Sequence, residues 1–118
     1  MTRLFALTLA LTAIGSEVNA QAFDMIGPGT RTCADYLSDS ATLKGAEDAY
    51  FFWAQGFMSG SNSELRIANK PRRDLNSPQM PIAAQQQTLK RFCQQNPRER
   101  FLFAVGGLFR NLPLMKDR

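Results

Sequence analysis

Residues 45–68 read GAEDAYFFWAQGFMSGSNSELRIA. Glu47 and Asp48 stand at the front of this stretch, where the positive end of a helix dipole favours carboxylates. Tyr50-Phe51-Phe52-Trp53-Ala54 is apolar on every side, the pattern of a helix surrounded by others. At helical spacing Tyr50, Trp53, Phe57 and Gly60 fall on one stripe, and Phe51, Ala54, Met58 and Leu65 on another. The stretch therefore reads as the main helix of an all-α domain. Gly56 and Gly60 each cost about 1 kcal/mol relative to Ala in a helix interior. Close approach of another helix would compensate, and the alternative is a break near Ser59-Gly60-Ser61.

Working outward, residues 69–81 (NKPRRDLNSPQMP) hold three prolines and read as a connecting loop. From Ile82, an apolar face of Ile82, Leu89, Phe92 and Cys93 marks an amphipathic helix, with Gln85-Gln86-Gln87 as polar surface. Asn96-Pro97-Arg98-Glu99 carries an N-cap, a proline at the first helical position and an acid two residues on. It predicts a last helix that buries Phe101, Leu102, Val105, Leu108, Phe109 and Leu112 and closes at Pro113. Toward the N-terminus, Thr32 with Asp35 resembles a capping box. A short helix from Cys33 to Leu37 should follow, ending at Ser38-Asp39-Ser40. Residues 21–31, with Gly27-Pro28-Gly29, form an irregular lead-in. No alternating pattern of useful length predicts a strand. The expectation is a compact all-α bundle of three or four helices over 32–113, with one disulfide and a short tail at 114–118.

The first twenty residues have a different character. Arg3 supplies a positive start, Leu4 to Ile14 an uncharged apolar run, and Val18-Asn19-Ala20 a small-residue cleavage site. These are the three regions of a secretory signal peptide, too short for a membrane span. Cleavage after Ala20 leaves 98 residues beginning at Gln21, with thirteen Lys+Arg and nine Asp+Glu. In an oxidising compartment Cys33 and Cys93 most simply form one disulfide, since they lack the C-x-x-C spacing of redox pairs. The closed loop of about 60 residues gives a stabilisation on the order of 4 kcal/mol in the chain-entropy model.

Candidate chemistry is sparse. The 118 residues contain no histidine and only two cysteines, which removes the usual zinc ligand sets and the usual base at neutral pH. Glu47-Asp48 is the densest acid pair, but neighbouring helical residues diverge by about 100° and the helix dipole accounts for both. Asp35 and Asp39 have the spacing of one helix face, with Asp39 placed where the helix should end. Lys70, Arg72 and Arg73 form a short basic loop followed by Asp74, which reads as a solvated loop or a contact for an anionic partner; without interleaved aromatics, and at a net charge of +4, it does not predict nucleic-acid binding. An aromatic run such as Tyr50–Trp53 is by default core. No catalytic residues, metal ligands or cofactor are expected, and the chain reads as a non-enzyme.

The ordered set T-C-A-D-Y-L at 32–37, F-W-A-Q-G-F-M-S-G at 52–60, L-K-R-F-C at 89–93 and N-P at 96–97 resembles the HdeA/HdeB acid-stress chaperone family, small periplasmic helical proteins. The resemblance covers about residues 32–112. It implies a periplasmic location, a Cys33–Cys93 bridge around a buried aromatic helix, and binding of unfolded clients. On this sequence the implied mechanism is concrete. Below about pH 4 the carboxylates discharge, and the mature side-chain charge climbs from +4 towards +13. Glu47, Asp48 and Glu99, placed at helix N-termini, are the pH-sensing candidates. Phe51, Phe52, Trp53 and Phe57 are the client-binding candidates. The W-A-Q-G-F-M-S-G segment and the N-P helix start also resemble the Tai-type immunity proteins, which implies instead a native surface that blocks one target protein. The partners expected are thus other proteins, clients or a single target, with room for a homodimer; neither nucleic acid nor a membrane span is expected.

Overall fold

The computed structural model describes residues 25–116. The signal peptide expected over 1–20, the start of the lead-in, Asp24 and Asp117 lie outside the described residues. Four helices follow in order: α1 (Cys33–Thr42), α2 (Ala46–Ile67), α3 (Ile82–Gln95) and α4 (Phe101–Asn111). Among the described residues there is no strand, only two isolated bridges, Thr32 with Arg100 and Arg73 with Leu114.

Helix α1 opens on the capping box foreseen at Thr32. The Asp35 N–H donates to Thr32 Oγ1 and the Thr32 N–H to Asp35 Oδ2, both at 3.1 Å. The helix does not stop at Leu37; it continues through Ser38-Asp39-Ser40 to Thr42. Asp residues break helices when their carboxylates compete for nearby backbone groups. Here the Asp39 carboxylate is taken by the Tyr50 hydroxyl at 2.7 Å and by Arg31. Gly45, at φ 80°, supplies the left-handed turn into α2.

Helix α2 is continuous through Ser59-Gly60-Ser61. It buries Tyr50, Phe51, Ala54 and Met58, while Trp53 and Phe57 are half-buried. Two expectations fail on its outer side. Phe52 is 69% exposed, so the aromatic run is not wrapped all round. Gly56 and Gly60 face open space, so no helix among the described residues approaches them closely. Both differences share a cause: α1, α4 and the turn at Pro28–Thr30 all pack against α2, and none of them reaches this side.

Helix α3 buries Leu89, Cys93 and also Gln85, which is fully inaccessible rather than polar surface. Its Nε2 donates to the carbonyls of Leu75 and Met80 at 3.0 and 2.9 Å, pinning the 69–81 loop. Ile82, expected inside, is 45% exposed at the helix start. The Asn96-Pro97 cap is a further correction. Asn96 closes α3, its Nδ2 donating to the Phe92 carbonyl, and α4 begins only at Phe101. Residues 97–100 stay non-helical because their carbonyls serve α1. The Cys33 N–H donates to the Glu99 carbonyl at 2.7 Å and the Ala34 N–H to the Pro97 carbonyl at 2.9 Å. They satisfy donors that a helix N-terminus otherwise leaves orphaned.

The core is built around three mutually packed rings, Tyr36, Tyr50 and Phe101, with centroids 4.7–5.1 Å apart. Burial pushes the Tyr36 hydroxyl up to about 12, so it is a neutral core group. Ala104, Val105 and Leu108 of α4 complete this core with Leu112. The disulfide Cys33–Cys93, with both residues fully buried, fastens the start of α1 to the end of α3.

Candidate functional site

Trp53 and Phe57 stand one turn apart on α2 and stack with their centroids 5.5 Å apart. The segment Gly27-Pro28-Gly29 crosses over the Trp53 indole as a single 3₁₀ turn, Pro28–Thr30, where an irregular lead-in was expected. Glycine is required in this strap. A methyl group at Gly29 would overlap the six-membered ring of Trp53, and Gly27 sits at φ 91° against the indole Nε1 edge.

Arg31 ties the strap down. Its carbonyl accepts the Phe101 N–H at 2.9 Å. Its guanidinium reaches Asp35 at 3.7 Å and Asp39 at 3.5 Å. Because α1 runs past Asp39, the two acids do share a face. Tyr50 completes the cluster by donating to Asp39. Thr32, through its side chain first and its backbone N–H second, holds the Asp35 carboxyl below its usual range. Hydrogen bonding with Tyr50, then the charge of Asp35, raises Arg31 further. Burial and the bond to Asp39 raise Tyr50. These ion pairs are partly exposed, so solvent screens them. A groove of about 490 Å³ opens beside the cluster, walled by Pro28, Leu43, Ala46 and Tyr50.

The client-binding candidates thus fall into three environments. Phe52 is open to solvent, Trp53 lies under the strap with Phe57 half-buried against it, and Phe51 is core. Of the pH-sensing candidates, Glu47 and Asp48 are in the first turn of α2, and Glu47 pairs with Lys90 of α3 at 3.1 Å. Glu99 precedes α4 altogether, so the helix-dipole argument made for it does not apply. Arg31, Asp39 and Tyr50 were not singled out in the sequence as a cluster. The i,i+4 spacing of Asp35 and Asp39 was the available signal, and the expected helix end hid it.

Among the described residues, no three Asp, Glu, Cys or His side chains gather where they could hold a metal ion. Nor, among the described residues, is any helix long and apolar enough to cross a membrane. No protein-family model, curated protein or solved structure matches the chain. By its geometry the described part of the molecule is a disulfide-stapled four-helix domain whose Trp53 lies beneath a glycine strap tied down by carboxylate ion pairs.

Proposed function

We propose that the protein is an exported, non-catalytic holdase that binds unfolded clients when acid loosens the cover over Trp53. The observation that carries this reading is the attachment of the strap. The segment over Trp53 is tied at Arg31 to two carboxylates, Asp35 and Asp39.

Acid acts on this attachment in a definite direction. Asp35 has a folded pKa depressed below its unfolded value, so it stabilises the fold above that unfolded value, about pH 4. The contribution is lost as pH falls through the folded pKa. Protonation of Asp35 removes one of the two carboxylates that hold Arg31. The chain's surplus of Lys and Arg then adds general repulsion. The disulfide keeps the core connected while the strap lifts, which exposes Trp53 beside the already open Phe52.

The test is light scattering of an acid-labile client from pH 7 to pH 2, with and without the oxidised protein. The expected result is suppression of aggregation only below about pH 4, together with a rise in dye-detected apolar surface. Absence of suppression at every pH overturns the reading. A second reading, a native surface that blocks one target protein, is favoured by the groove beside Tyr50, which is open without any rearrangement. It predicts capture of a single partner at neutral pH and no dependence on strap release.

A further inference from the structure

The basic loop at 70–73 divides in the structure. Arg73 turns inward, its Nη1 donating to the Leu112 carbonyl at 2.9 Å while Asn62 clasps its backbone N–H and C=O at 2.9 and 2.8 Å. This anchoring knits the loop to the chain's end. The Asp74 N–H donates to the Pro113 carbonyl and the Met115 N–H to the Arg72 carbonyl, at 2.7 and 2.8 Å. Between the two segments and the end of α2 lies a cleft of about 480 Å³. Arg66, Lys70 and Arg72 line it together with Leu114 and Met115. Arg66 comes from the last turn of α2, so only the fold adds it to the loop's two cations.

We infer that this cleft binds an anionic amphiphile, a phosphate headgroup joined to a short apolar chain. Arg66, Lys70 and Arg72 have no carboxylate within ion-pairing distance among the described residues. The loop's own acid, Asp74, does not line the cleft, and its carboxylate accepts the Asn76 N–H at 3.0 Å. The negative end of the α2 dipole is blunted, because the carbonyls of Glu64, Leu65 and Arg66 accept the N–H groups of Ala68, Lys70 and Asn69. Three cations with no ion-pair partner among the described residues suit a phosphate, with Arg contributing forked donors. Leu114 and Met115, 52% and 37% exposed, give the apolar wall that a bare anion does not need. The volume falls in the usual range for small-ligand sites. This inference is independent of the strap and of the holdase reading.

The test is a chemical-shift titration at neutral pH and low ionic strength. The probes are inorganic phosphate, dihexanoyl phosphatidylglycerol below its micelle concentration, and dihexanoyl phosphatidylcholine with the same chains. The expected order is phosphatidylglycerol about tenfold tighter than either of the others, with shifts at residues 66–72 and 114–115. Arg66→Gln and Arg72→Gln each weaken that binding about tenfold, whereas Arg91→Gln, an exposed charge on α3 outside the cleft, leaves it unchanged. Leu114→Ser brings phosphatidylglycerol down to the level of phosphate. Equal binding of phosphate and phosphatidylglycerol overturns the amphiphile, and equal binding of the two lipids overturns the anion. Absence of binding, or binding indifferent to Arg66 and Arg72, overturns the site.

Discussion

At the scale of single residues, the positions that matter most are the small ones that admit large neighbours. Gly29 is buried against Trp53 and leaves no room for a β-carbon. Gly29→Ala should therefore displace the strap or the indole. The expected loss is about 1–3 kcal/mol in urea unfolding, typical of overpacking, with a red-shifted Trp53 fluorescence at neutral pH. Unchanged stability and emission would mean that the strap does not cover the ring in solution. Gln85 makes the complementary point. Its residue type reads as surface, yet it is fully buried because its amide can hold two loop carbonyls at once. No periodicity rule finds such a residue, since its reward lies in partners five and ten residues away.

At the scale of elements, local chemistry was legible where the partners are local. The Thr32–Asp35 capping box spans three residues and forms as read. Thr32→Ala should cost about 0.5–2 kcal/mol of stability at pH 7. It should also flatten the acid limb. Asp35 loses the neighbour that chiefly depresses its pKa, so less stability remains to be lost as pH falls below about 4. Urea midpoints at pH 7 and pH 3 check both parts, and an equal drop in variant and parent would contradict the assignment. Asn96-Pro97 shows the opposite case. The dipeptide has the composition of a helix start, but Asn96 turns back onto α3 and the next carbonyls cap α1. Long-range demand for acceptors overrode a local signal. Helix α1 likewise outran its expected end because Tyr50 and Arg31, distant or outside the helix, occupied Asp39.

For the whole molecule, the 60-residue Cys33–Cys93 link joins the elements that flank the aromatic core. Replacing both cysteines with alanine should cost about 4 kcal/mol by chain entropy. Small domains carry total stabilities of roughly 5–15 kcal/mol, so the variant should unfold at a much lower urea concentration. Under the proposed mechanism it should also open globally in acid, where the oxidised protein should open only locally. Hydrogen exchange at pH 3 separates the two: protection should persist in α3 and α4 of the oxidised protein and vanish in the variant. Equal protection would show that the staple does not limit opening.

The sequence by itself determined that the chain is helical, where the main helix lies, and that one pair of cysteines can staple it. Those features rest on 3.6-residue periodicity, adjacent capping groups and composition, all of which act within a few residues. Only the tertiary structure decided which side of α2 is covered, which acids face Arg31, and that Arg66 joins Lys70 and Arg72 around one cleft. These depend on groups brought together from distant parts of the chain, where backbone donors and acceptors must all be matched at once.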